Sequence, residues 1–153
     1  ELAGVARSSK MVLVPCGGDG GDFADGGWRT DIEEDADLVK LGNHLLAAAR
    51  ATGGRALIVD NTASDAPAEL YEGWLASGID VVTPNKRAGS GPYTRYDRIM
   101  AAARSGHSRF LYEATVGAGL PIVGPLQTLL RAGDEVRSVE GIFSGTVQIV
   151  CRV

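Results

Sequence analysis

From about residue 36 onward the chain alternates compact apolar runs with stretches of helical period, and nothing else in it restricts the fold so strongly. Residues 56–59 run into Asp60-Asn61-Thr62-Ala63-Ser64, residues 79–82 into Thr83-Pro84-Asn85-Lys86, and residues 110–112 into Glu113-Ala114-Thr115. Between them lie helical patterns with their own punctuation. Residues 36–52 place Leu38, Leu41, Leu45 and Ala48 on one face and stop at Gly53. Ser64 or Asp65 caps a second helix with Pro67 in its first turn, Leu70, Trp74 and Leu75 inward and Gly78 at its end. Pro92 starts a third, with Tyr93, Tyr96, Met100 and Ala103 along one stripe. Pro121 opens a fourth, which carries Ile122, Leu126, Leu129 and Leu130 inward and stops at Gly133. Strand and helix in repetition predict an α/β fold with a mostly parallel sheet. Residues 2–6 read as its first strand, residues 11–14 as a further short strand or a helix start, and residues 136–143 have strand character.

This is the layout of a Rossmann-type domain, in which ligands bind beyond the carboxyl ends of the strands. The polar strand ends are Arg7-Ser8, Asn61-Thr62, Asn85-Lys86 and Glu113–Thr115, and all four are expected at one crevice. The stretch from Tyr112 to Pro121 carries one carboxylate and two glycines between a strand and a helix. Such a turn aims backbone groups outward, toward a ligand or an ion. No G-x-G-x-x-G follows a strand. Residues 17–27 hold six glycines and three aspartates, an acidic loop that would repel a pyrophosphate and lacks the spacing of an EF-hand.

A length of 153 residues suits one ordinary domain. A net charge of −4 and a pI near 5.1 argue against nucleic-acid or polybasic membrane partners. No apolar run approaches the ~20 residues of a membrane helix, and the first residues do not read as a signal or transit peptide. Cys16 and Cys151 have no partner motif and read as reduced thiols, while His44 and His107 lack metal-ligand spacing.

The motifs at residues 60–64, 83–86, 112–121, 133–135 and 141–146, in that order, resemble homoserine dehydrogenase. Residues 3–9, followed later by Trp28, look like the second strand and following region of members fused to aspartokinase. The resemblance implies NAD(P)-dependent interconversion of L-homoserine and L-aspartate 4-semialdehyde, in threonine, methionine and isoleucine biosynthesis. It implies that Thr62 lines the cofactor near its nicotinamide and that Lys86, at the junction of nicotinamide and substrate, takes part in catalysis. Ala63 stands where many members have serine. Arg7 and Ser8 are placed to meet the 2′-phosphate of NADP, with NAD as the alternative. Glu113, Val116, Ala118 and Leu120 match a site for a monovalent cation such as sodium, and Gly145 and Thr146 border the substrate.

By that resemblance residues 1–120 form a partial NAD(P)-binding domain whose first strand and glycine-rich turn are missing. Residues 121–153 begin the substrate and dimerisation domain, with a tail from Val147 that diverges from the family. The expectation is a fragment, inactive alone, of a homo-oligomeric cytoplasmic or plastid enzyme. A rival reading is a non-catalytic nucleotide- or partner-binding module that keeps only the sheet core. Aspartate-semialdehyde dehydrogenase is disfavoured, because its nucleophilic cysteine has no counterpart in Cys16 or Cys151.

Overall fold

The computed structural model describes residues 2–16 and 33–140. The loop at residues 17–27, Trp28, the motif at 141–146 and the tail with Cys151 lie outside the described residues. Three short strands come first and pair antiparallel: β1 (Gly4–Ala6), β2 (Lys10–Leu13) and β3 (Glu34–Asp35), in the order β1-β2-β3. Helix α1 (Leu38–Thr52) follows, its first turn capped by the Asp37 carboxylate, which accepts from the N–H groups of Val39 and Lys40. Gly53, at φ 67°, ends it in the left-handed conformation that glycine adopts without steric cost. The chain then builds β4 (Leu57–Val59), α2 (Asp65–Ala76), β5 (Asp80–Val82), α3 (Tyr93–Ser105) and β6 (Phe110–Leu111). Strands β4, β5 and β6 form a parallel sheet in that order, with Ile58 opposite Val81 and Val81 opposite Phe110. Helix α4 (Val123–Arg131) closes the described part.

The parallel sheet and its α/β character match the expectation. The first strand does not join that sheet. Residues 2–6 contain β1, which folds back on β2 through Arg7-Ser8-Ser9, with Val5 opposite Val12 and Ala6 opposite Met11. Arg7 and Ser8 therefore sit in a hairpin turn and not at the carboxyl end of a parallel strand. A strand's own sequence specifies an apolar run but not the direction of its neighbour. The short Arg7-Ser8-Ser9 link allows only an antiparallel return, since a parallel crossover needs a dozen or more residues.

The core lies where α2 and α3 pack on β4 and β5. Tyr71, Leu75, Ile79 and Val81 are fully buried there, joined by Ile58, Ile99, Ala102 and Ala103. The buried residues of α3 are Ile99, Ala102 and Ala103; of the expected stripe Ala103 is buried, Tyr96 and Met100 are half-buried and Tyr93 is exposed. Gly106 lets α3 meet α2 closely, because a Cβ there would lie 1.9 Å from the Leu75 carbonyl oxygen. Helix α4 departs further from expectation. It begins at Val123, two residues after Pro121, and none of its residues is buried, with Leu129 and Leu130 each half exposed. Leu126 and Gln127 are half-buried, and Gln127 reaches the Tyr112 hydroxyl. Residues 134–140 carry no strand, so the strand character expected from residue 136 is not realised up to Glu140.

Candidate functional site

The three parallel strands end on one side of the sheet, and the residues just beyond β4 and β5 are tied into one buried polar network. Its centre is the Asp60 carboxylate, 5% exposed. Oδ1 accepts the Thr62 N–H at 2.8 Å; Oδ2 accepts the Tyr71 hydroxyl and, at 3.0 Å, the Asn85 side-chain amide. The Thr83 hydroxyl donates to the Asp60 carbonyl at 2.8 Å and accepts the Asn85 N–H at 2.8 Å. Asn85 also reaches the Ser64 carbonyl at 2.8 Å and the Thr62 hydroxyl at 3.5 Å, and its own oxygen accepts the Arg87 N–H at 3.0 Å. One amide side chain thus laces the loop after β4 to the loop after β5.

Burial pushes the Asp60 carboxyl up, but the donors Tyr71, Asn85 and Thr62 outweigh it and hold the group below its ordinary value. Burial first, then the Asp60 carboxylate, pushes the Tyr71 phenol well above its usual range. The pair is therefore a phenol donating to a carboxylate throughout neutral pH. Sequence reasoning gave roles to neither Asp60 nor Tyr71. The signal for Tyr71 lay in its helical spacing with Ala68 and Leu75, which makes it a core position whose hydroxyl must find a partner.

Thr62 and Lys86, named separately from the sequence, are brought together by this network. Lys86 opens a single 3-10 turn, Lys86–Ala88, capped by Asn85. Its side chain is exposed and, among the described residues, in no ion pair. Beside it a cavity of about 370 Å³ opens between Lys86, Ala88, Tyr96, Phe110, Tyr112 and Val116. Its wall holds a hydroxyl pair, Tyr96 to Tyr112 at 2.7 Å, with the Gln127 amide donating to Tyr112 at 2.8 Å.

The other expected site residues lie apart. Arg7 and Ser8 occupy the β1–β2 turn, where the Arg7 guanidinium is 3.4 Å from Glu33. Glu113 starts a short 3-10 turn, Glu113–Thr115, and its carboxylate caps α4: Oε1 accepts the N–H groups of Ile122 at 2.6 Å and Val123 at 2.8 Å, Oε2 that of Gly124 at 2.7 Å. Desolvation pushes its carboxyl up, but the three donors Gly124, Val123 and Ile122 together outweigh it and hold the group below its ordinary value. They also use three of roughly four lone-pair positions on the carboxylate. The chain next passes through Gly117 at φ 70° and Ala118 at φ 52°. Among the described residues no backbone N–H donates to the carbonyls of Val116, Ala118 or Leu120. One remaining carboxylate position and three carbonyls make an all-oxygen donor set of the type hard cations take. The donor types fit a cation.

A family model described as the NAD-binding domain of homoserine dehydrogenase matches residues 1–113. Bifunctional aspartokinase/homoserine dehydrogenase 1, chloroplastic, of Arabidopsis thaliana is 41% identical over 151 residues, covering 96% of this chain and 16% of its own length. The homoserine dehydrogenase of Emericella nidulans is 37% identical over 154 residues, covering 98% of this chain and 42% of its own. Among solved structures, a Candida auris protein of unknown function superposes with a TM-score of 0.80 at 30% identity, over 95% of this chain and 39% of that one. A hyperthermophilic archaeal homoserine dehydrogenase mutant in complex with NADPH gives 0.57 at 27% identity, over 84% of this chain and 39% of that one. The chain spans less than half the length of each of these relatives. With its match to the family model over residues 1–113, the chain belongs to the homoserine dehydrogenase family.

Proposed function

We propose that this chain is the cofactor-side part of an NAD(P)-dependent homoserine dehydrogenase that interconverts L-homoserine and L-aspartate 4-semialdehyde. The observation that carries the reading is the joining of the Thr62 and Lys86 loops through Asn85, inside a segment that matches the family's NAD-binding domain. The nicotinamide cofactor, when bound, supplies the hydride. The chain's own residues then orient and handle charge. Thr62 borders the nicotinamide. The Lys86 ammonium, free of carboxylates among the described residues, stabilises negative charge on the substrate oxygen and holds the proton that oxygen takes up. Arg7 and Ser8 meet the 2′-phosphate of NADP, a role in which the phosphate competes with Glu33 for the guanidinium. The NADPH complex of the archaeal relative supports NADP over NAD. Glu113, Val116, Ala118 and Leu120 hold a monovalent cation such as sodium.

In this reading residues 1–120 are a partial cofactor domain and residues 121–153 the start of the substrate domain of a homo-oligomeric protein. The chloroplastic relatives support a plastid location, with the cytoplasm as the alternative. No helix among the described residues is long and apolar enough to cross a membrane. The test is a chimera: residues 2–140 replace the matching segment of the Emericella nidulans homoserine dehydrogenase, and homoserine oxidation is followed with NADP and with NAD. Retained turnover, lost by about a hundredfold or more in Lys86→Ala, is expected. A folded but inactive chimera overturns the reading. The chain alone is expected to show no turnover.

A second reading is a non-catalytic nucleotide- or partner-binding module that keeps only the sheet core. Absence of saturable NADPH binding by both the chain and the chimera would select it.

A further inference from the structure

The hydroxyl pair in the cavity beside Lys86 has one hydrogen too many. The Tyr96 and Tyr112 oxygens lie 2.7 Å apart, and the Gln127 amide donates to the Tyr112 oxygen at 2.8 Å. Two phenols carry two hydrogens, and the bond between them uses one. The other has no acceptor among the described residues. Burial first, and then the bond to Tyr96, pushes the Tyr112 phenol well above its usual range, so it keeps its proton. The other polar groups of the wall are either spent or donors themselves. The Thr115 hydroxyl donates to the Tyr112 carbonyl at 2.7 Å, and the Asn85 amide serves the Asp60 carboxylate and the Ser64 carbonyl. The Lys86 ammonium is in no ion pair among the described residues, and no carboxylate is among the residues that line the cavity. The rest of the wall is apolar or aromatic, from Ala88, Val116 and three rings. Phe110 stacks on Tyr112 at 4.8 Å and 21°, and Tyr96 meets Tyr112 edge-on at 77°.

We propose that this cavity binds an aromatic monocarboxylate without an ammonium group, its ring among Tyr96, Phe110 and Tyr112 and its carboxylate on the Lys86 ammonium and the spare phenol hydrogen. A volume of about 370 Å³ suits a small molecule, and small-molecule sites are mostly apolar with a few convergent polar groups. Two donors, one of them charged, select an acceptor-only anion, because charge-assisted bonds are roughly twice as strong as neutral ones. An amino acid brings an ammonium that meets Lys86 and finds no carboxylate in the wall. A phosphate dianion would find one cation for its two charges and an apolar lining that strips its water. The aromatic wall gives a flat ring edge-on and stacked contacts beyond its buried area. Binding stands independently of the dehydrogenase reading. Only its effect on turnover rests on that reading, since a carboxylate on Lys86 occupies the ammonium assigned there to the substrate oxygen.

The probe is benzoate, added to the full chain while the backbone amide resonances are followed by NMR. Saturable shifts are expected at Lys86, Ser90 and Val116, which line the cavity, and none at Arg55, at the amino end of the sheet. Benzamide, of the same shape without the charge, and L-phenylglycine, which adds an ammonium, are each expected to bind about tenfold or more weakly than benzoate. Lys86→Met keeps the aliphatic stem and removes the charge. Tyr96→Phe combined with Tyr112→Phe keeps the rings and removes both hydroxyls. Each change is expected to weaken benzoate about tenfold, with the Val81 amide in the sheet unshifted. No saturable shift up to the solubility limit of benzoate, equal binding of benzamide, tighter binding of phenylglycine, or undiminished binding in both variants overturns the proposal. Shifts at Arg55 of the same size as those at Lys86 mark a surface association of anions and overturn it too. Saturable benzoate binding beside an inactive chimera fails the dehydrogenase reading and supports this one; an active chimera beside a chain that binds no benzoate does the reverse.

Discussion

The two ends of the parallel sheet each bury a carboxylate, and they neutralise it in opposite ways. At the amino end Asp80, 1% exposed, receives two arginine forks: Arg55 at 2.8 and 3.3 Å and Arg109 at 2.7 and 3.0 Å, with the Arg109 N–H at 2.8 Å. At the carboxyl end Asp60 is met only by neutral donors, from Tyr71, Asn85 and Thr62. The amino end joins β5 to the segments leading into β4 and β6 with full charge compensation. The carboxyl end stiffens two loops without using a cation, which leaves Lys86 unpaired among the described residues. Rigidity is bought at both ends, but only the carboxyl end keeps an ammonium free for a ligand.

The largest test of this contrast removes each carboxylate in turn. Asp60→Ala removes the charged acceptor shared by Tyr71, Asn85 and Thr62, of which Tyr71 keeps Thr83 and Asn85 keeps the Ser64 carbonyl; at about 1.5–3 kcal/mol for each hydrogen bond to a charged group, a loss of about 4 kcal/mol is expected. In Asp80→Ala the two guanidinium groups, whose side chains are 55% and 65% exposed, return to water, and about 2 kcal/mol is expected. Urea unfolding of both variants compares them; a larger loss for Asp80→Ala would invert the assignment of roles.

Acid titration separates the ends next. Burial raises the Asp80 carboxyl, but Arg55 and Arg109 overcome this and hold it at about 2, against 3.8 for the free group. A depressed folded value means that its stabilisation is fully present above pH 3.8 and is lost as the pH falls through about 2. The loss amounts to about 2 kcal/mol. Asp60 shifts in the same direction. Asp80→Asn should therefore flatten the lowest-pH part of the acid-unfolding curve, and an unchanged acid limb would show that the two arginines do not act on the folded state alone.

What the sequence revealed of these regions follows from the range of each interaction. The strands at residues 56–59, 79–82 and 110–112, and the helices between them, were legible because apolar period and caps such as Gly53 and Ser64 act within a few residues. The pairing of β1 was not, since a strand's alternation is the same beside a parallel or an antiparallel neighbour. The inward face assigned to α4 needed a partner surface that no local signal supplies. Thr62 and Lys86 were readable as polar strand ends. Asp60 and Tyr71 were not, because their meeting depends on how α2 lies on the sheet.

A finer probe of the carboxyl end is Tyr71→Phe, which keeps the ring in the core and deletes the donor to Asp60 together with the hydroxyl's 3.0 Å contact with Thr83. A loss of about 1.5 kcal/mol is expected. If the phenol also aligns the two loops, the Thr62 and Arg87 amides exchange faster by a common factor, while the Val81 amide, bonded to Arg109 within the sheet, slows or speeds only with global stability. Independent changes at Thr62 and Arg87 would show that Asn85 alone couples them.

The smallest effect on the whole molecule concerns a third carboxylate, exposed rather than buried. Glu113 holds the first turn of α4 through three backbone N–H groups, and those donors depress its ionisation. The sign matches the two aspartates: the cap is complete above the ordinary carboxylate value and is lost as the pH falls through the lowered one. Glu113→Gln should leave the global unfolding midpoint nearly unchanged, since no residue of α4 is buried. The amides of Ile122, Val123 and Gly124 should nevertheless exchange faster, and in the unmodified chain they should do so below the ordinary carboxylate value. Sodium gives the sharper result. If the carboxylate is shared between helix and cation, adding sodium at neutral pH changes exchange at these three amides in the unmodified chain and not in Glu113→Gln. If it serves only the helix, sodium changes neither.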